Sequence, residues 1–88
     1  MLIEWNSLKS ERLKRTRGVS FEEILSSKLI AIRDHPKRGN QKILIFKHKN
    51  QYWVVPFISE GQKVFLKTLY PSRKFRKIYE KEEKDEKS

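Results

Sequence analysis

At 88 residues the chain can form one domain with a single small core and is too short for two. Lysine and arginine number 21 against 11 acids, and the resulting net charge of +10 opposes compaction and selects polyanionic partners, nucleic acid first and an acidic protein second. The absence of cysteine excludes disulfides and thiolate metal sites, and no apolar run approaches the roughly 20 residues of a membrane span.

The first residues, Met1-Leu-Ile-Glu-Trp-Asn6, lack the cationic start and apolar centre of a secretion signal, which leads to the expectation of a cytoplasmic protein. Leu2 to Trp5 alternates weakly and reads as a short strand. Asn6 or Ser7 can cap a helix running through Leu8, Arg12 and Leu13 to about Arg17, where Gly18 supplies the stop. That helix is strongly basic, with Lys9, Arg12, Lys14, Arg15 and Arg17 against Glu11 alone.

Ser20-Phe-Glu-Glu23 is a capping box, in which the Ser20 hydroxyl accepts from the Glu23 N–H and the Glu23 carboxylate reaches back to Ser20. Val19 and Ile24 stand at the two positions of a hydrophobic staple, and Glu22 and Glu23 suit the positive end of the helix dipole. These structural roles account for both acids. The short helix, with Phe21, Ile24 and Leu25 on its buried face, is expected to end near Lys28.

Leu29 to Ile32 reads as a second strand, followed by a polar loop from Arg33 to Gln41 rich in turn formers. Lys42 to His48 is a third strand, apolar on both faces over Ile43 to Phe46 and therefore central. Asn50-Gln51 turns the chain into Tyr52 to Ile58, where Pro56 signals a bulge or the edge side of a strand. Ser59 to Gln62 makes a further hairpin turn into a strand over Val64 to Tyr70, which Pro71 ends for want of an N–H. Ser72 caps a last helix in which Phe75, Ile78 and Tyr79 share one side, at i, i+3, i+4 spacing, and Arg73, Lys74, Arg76 and Lys77 the other. Residues 80–88 carry no apolar anchor and read as a fraying helix end or a disordered tail. The fold class is α+β, one domain over residues 1–79, with helices packed on a small twisted antiparallel sheet.

No Gly-rich phosphate loop, Walker pattern or Cys/His metal spacing is present, and His35 and His48 stand apart in the sequence. What remains is cations interleaved with aromatics. Between Lys67 and Lys77 lie five cations and no acid, flanked by Tyr70 and Tyr79. Cations and a phenol suit an RNA backbone and permit metal-free cleavage, in which the ribose 2′-hydroxyl attacks its own phosphorus while the protein moves protons and stabilises the added charge.

Three segments, Ile3-Glu-Trp5, Gly18-Val-Ser-Phe-Glu-Glu23 and Phe65-Leu-Lys-Thr-Leu-Tyr-Pro-Ser-Arg-Lys74, resemble the BrnT-like toxins of type II toxin–antitoxin systems, in order over the chain to about Tyr79. The resemblance implies a RelE-like fold and a cofactor-free, metal-independent endoribonuclease that arrests translation and is neutralised by a cognate antitoxin. Such relatives usually carry a histidine where this chain has Arg17, and often a glutamate about where Phe75 stands. On this reading Arg17, Arg73 and Tyr79 form the catalytic set, the two arginines on the scissile phosphate and Tyr79 in proton transfer. Lys14, Lys67, Lys74 and Lys77 contact RNA, with no metal. The alternative is a non-catalytic nucleic-acid-binding or partner-binding module that keeps the same basic surface.

Overall fold

The elements follow in the order β1 (Leu2–Glu4), α1 (Ser7–Arg17), α2 (Phe21–Leu25), β2 (Lys28–Asp34), β3 (Lys42–His48), β4 (Gln51–Glu60), β5 (Lys63–Leu66), β6 (Tyr70–Pro71) and α3 (Arg73–Lys87). This computed structural model describes the backbone of residues 2–87 and the side chains of residues 2–82. Among them no helix is long and apolar enough to cross a membrane. The α+β class is as the sequence implies, but the sheet is mixed rather than antiparallel, because β1 runs parallel to β5 at its edge. The strand order is β1-β5-β4-β3-β2, with β6 paired to β4 off that path.

Local chemistry sets the boundaries. Asn6 caps α1, its side chain accepting from Lys9 N, and Gly18 ends it at φ 82°, its N–H donating to Lys14 O. A left-handed residue there satisfies an orphan carbonyl at little cost only when it is glycine. The capping box is present, with Glu23 N donating to Ser20 Oγ at 3.1 Å. However, α2 stops at Leu25, three residues before the expected end, because Ser26 and Ser27 turn back on Glu23 O and Ile24 O and Lys28 already joins β2. The hairpin between β3 and β4 turns on Lys49 and Asn50, both at positive φ, one residue earlier than expected.

Ten-residue β4 organises the sheet. One edge pairs with β3 over Gln51–Phe57; the other pairs with β5 over Phe57–Glu60 and with β6 at Trp53 and Val54. Pro56 sits where that second edge changes partner, its carbonyl accepting from Lys67 N at 2.8 Å. N and O of one strand residue face the same side, so the missing N–H falls in the gap between β5 and β6 and removes no bond to β3. The expected single strand over Val64 to Tyr70 is accordingly two short ones, with Lys67–Leu69 stepping out of the sheet between them.

The sheet is covered on both faces. Leu44 and Phe46 of β3 join Phe21, Ile24, Leu13 and Leu69 beneath α1 and α2. Ile43 and Ile45 point the other way, to Tyr52, Val54 and Phe75 beneath α3, which explains why β3 is apolar on both faces. Phe21 and Ile24 are fully buried, so Phe21→Ala would cost about 3–5 kcal/mol. The first face is not wholly covered: Leu29 and Ile32 of edge strand β2 are 48% and 59% exposed beside an apolar groove floored by Leu44, Phe46 and Phe57.

Candidate nucleic-acid interface

Short strand β6 separates two polar hollows. On one side a hollow of about 470 Å³ lies between Gln51 and Tyr52 of β4 and the start of α3. Ser72 fixes that start: its N–H donates to Tyr52 O at 2.8 Å, and its hydroxyl accepts from Phe75 N at 3.3 Å. Arg73 and Arg76 therefore stand at the hollow's wall. Arg76 also pairs with Glu80 at 3.0 Å, one turn on.

On the other side a cleft of about 310 Å³ collects residues from five parts of the chain. Lys9 comes from α1, His35, Arg38 and Gln41 from the loop after β2, and Pro56 from β4. Lys67 and Thr68 of the step, with Tyr70 of β6, complete it. The loop is closed at its neck by His35 N donating to Gln41 O and inside by Gln41 N donating to Arg38 O, both at 3.1 Å. The His35 ring tightens it further: Nδ1 accepts from Lys37 N at 3.0 Å and from Arg38 N at 3.1 Å. Among the described residues, no carboxylate lines either hollow, and three cations stand on one side of β6 and two on the other.

The nominated residues do not all meet. Lys67 reaches the cleft, its Nζ 5.7 Å from the Phe65 ring centroid, and Arg73 reaches the other hollow. Arg17 stands behind the cleft, donating through Nη1 to Leu69 O and to Thr68 Oγ1, the latter at 3.4 Å. It thus anchors the step that carries Lys67 and Thr68. Lys14 turns away: its Nζ pairs with Glu23 Oε1 at 2.5 Å and donates to Gly18 O at 3.3 Å. Tyr79 lies over the sheet, stacked on Tyr52 and Phe75 with centroids 6.0 and 6.2 Å away, its hydroxyl accepting from Arg33 Nη1 at 3.3 Å. Lys74 Nζ lies 5.9 Å from the Phe75 centroid, and Lys77 is exposed on the same helix. Tyr79 and Arg17 are separated by the sheet, because α1 and α3 cover opposite faces.

The two acids that precede the basic surface are held elsewhere. Glu22 accepts from Ser10 Oγ at 2.7 Å and from Trp5 Nε1 at 2.8 Å, joining the start of the chain, α1 and α2. Those donors, Ser10 foremost, hold its carboxyl below the usual range. Glu23 is lowered chiefly by its hydrogen bond from Lys14. His48 brings Nε2 to 3.9 Å from Glu23 Oε2, too long for a hydrogen bond.

Lys9, Arg38, His35 and Tyr70 are the cleft residues that a reading by sequence does not group. Residue spacing holds no signal for them, since they meet only because the loop after β2 folds toward the β5–β6 gap. A His-Pro pair with Gly and Asn downstream does mark that loop as a compact turn. Among the described residues, no group of three or more His, Cys, Asp or Glu side chains is placed to hold a metal ion. No family model, curated protein or solved structure matches the chain.

Proposed function

We propose that the chain is the toxin of a type II toxin–antitoxin pair, a BrnT-like, metal-independent endoribonuclease that binds the RNA backbone across β6 and is neutralised by a cognate antitoxin. The observation that carries the reading is the pair of carboxylate-free cationic hollows on either side of β6, supplied by α1, the loop after β2, the β5–β6 step and α3. Phosphates are the ligands such a surface selects, and neutralising several of them makes affinity fall with salt. Lys67 and Arg73 contact the backbone, with Arg17 holding the step in place. The net charge of +10 favours an acidic antitoxin over the same surface.

The second reading, a binding module without chemistry, has its own support. The Tyr79 hydroxyl is occupied by Arg33 and Arg17 by main-chain Leu69, so two of the three nominated catalytic groups serve the fold. Incubating the pure protein with RNA in EDTA separates the two. Cutting that disappears in an Arg73→Gln, Lys67→Gln variant supports the ribonuclease; salt-dependent binding without cutting supports the module. Expression that is harmless alone, with no acidic neighbour co-purifying, overturns the toxin assignment.

A further inference from the structure

We propose that the cleft between α1, the loop after β2 and β6 holds the scissile phosphodiester, and that Tyr70 is the group that donates a proton there. The inference rests on RNA cleavage by this surface and names its subsite and its acid. Lys9, Arg38 and Lys67 bring three positive charges from separate elements to one cleft that no carboxylate enters. A single phosphodiester among them is bound and its developing charge stabilised.

Apart from the cleft's lysines, whose charges hold the phosphate, three groups in or near this surface are able to transfer a proton, and the geometry separates them. Tyr79 is on the sheet face under α3, its hydroxyl on Arg33. His35 lines the cleft, but its Nδ1 accepts from two backbone N–H groups, so Nε2 carries the ring's proton. Giving that proton up would leave an imidazolate, and taking one at Nδ1 would break both loop bonds. His35 is therefore a positioning residue, fixing the turn that carries Arg38. Tyr70 is 36% exposed and lines the same cleft, and its hydroxyl has no partner among the described residues.

In the reaction, the ribose 2′-oxygen bonds to phosphorus as its proton passes to water, and the bond from phosphorus to the 5′-oxygen breaks. Tyr70 gives its hydroxyl proton to that departing oxygen and regains one from water. The products are a 2′,3′-cyclic phosphate and a 5′-hydroxyl.

The test uses the full chain with two probes of one sequence, a 2′-O-methyl oligonucleotide that cannot attack itself and the corresponding RNA in EDTA. Lys67→Gln and Arg38→Gln should each weaken binding of the first and lower its salt dependence by about one ion. Tyr70→Phe keeps the ring and should bind within about 2-fold of wild type, while cutting the second about 10²–10³-fold more slowly. His35→Asn retains a side-chain acceptor for the turn and should lose much less. If Lys67→Gln and Arg38→Gln bind as wild type does, the phosphate lies elsewhere and the subsite is wrong, even where the wild type cuts. If His35→Asn stops cutting and Tyr70→Phe does not, the imidazole is the donor. If the wild type binds through the cleft and never cuts, the ribonuclease reading and the role of Tyr70 fall together, and the subsite alone stands.

Discussion

The Arg33 guanidinium donates to the Tyr79 hydroxyl at 3.3 Å while its Cζ stands 5.3 Å from the centroid of the Phe75 ring. One side chain of edge strand β2 thus ties down two residues a turn apart on α3. Tyr79→Phe keeps the stacking on Tyr52 and Phe75 and deletes only the hydrogen bond. It should lower stability by about 0.5–1.5 kcal/mol, at the lower end because the pair is exposed, as read from urea unfolding. A loss of RNA cutting as large as that expected for Tyr70→Phe, with stability intact, would put the Tyr79 hydroxyl in the chemistry.

Ser20→Ala removes the acceptor for Glu23 N and leaves that donor without its cap. The expected loss is about 0.5–2 kcal/mol, with RNA affinity unaltered because α2 is remote from both hollows. An unchanged melting temperature would mean that α2 does not depend on its cap.

Lys49 and Asn50 form the two-residue turn between β3 and β4 at φ 52° and 62°. Both central positions are left-handed, the geometry that Asn-Gly adopts with least strain. Replacing Lys49-Asn50 by Asn-Gly should raise stability by about 1 kcal/mol or more, since a left-handed lysine costs roughly 1–2 kcal/mol. Thermal unfolding measures the change, and a decrease would show that the lysine side chain contributes more than its backbone costs.

Acid should destabilise the protein through Glu22 and Glu23. Both carboxyls ionise more readily in the folded protein than their ordinary value of 4.5, Glu22 chiefly through Ser10 and Glu23 chiefly through Lys14. A lowered folded pKa means that the unfolded chain binds protons first on acidification. The stabilisation is therefore complete above the ordinary value and is lost as pH falls through the folded values. Glu22→Gln should reduce the drop in melting temperature between about pH 6 and about pH 3. An identical acid limb in that variant would exclude Glu22 as a source.

Much of the local structure is legible in the chain. Asn6, Gly18, Ser20-Phe-Glu-Glu23 and Ser72 act within a turn of where they stand, so their capping roles follow from residue type and spacing alone. The same holds for β3, because an unbroken apolar run over Ile43 to Phe46 suits burial on two faces. Less was legible where a neighbour distant in sequence decides. Val64 to Tyr70 is apolar enough for one strand, yet Pro56 opens the opposing edge and splits it in two. The parallel pairing of β1 with β5 joins residues some 60 positions apart and leaves no local mark.

The candidate site divides in the same way. The basic charge, the cations from Lys67 to Lys77 and their preference for phosphate are properties of the sequence, since charge needs no fold. Which of those cations share a cleft was decided by tertiary structure. Placing α1 and α3 on opposite faces of the sheet separates Arg17 from Tyr79, and stepping the chain out at Lys67–Leu69 joins Lys67 and Tyr70 to Lys9, His35 and Arg38. A site is a set of distances, and these distances arise from burying two apolar faces at once, a constraint that no single segment carries.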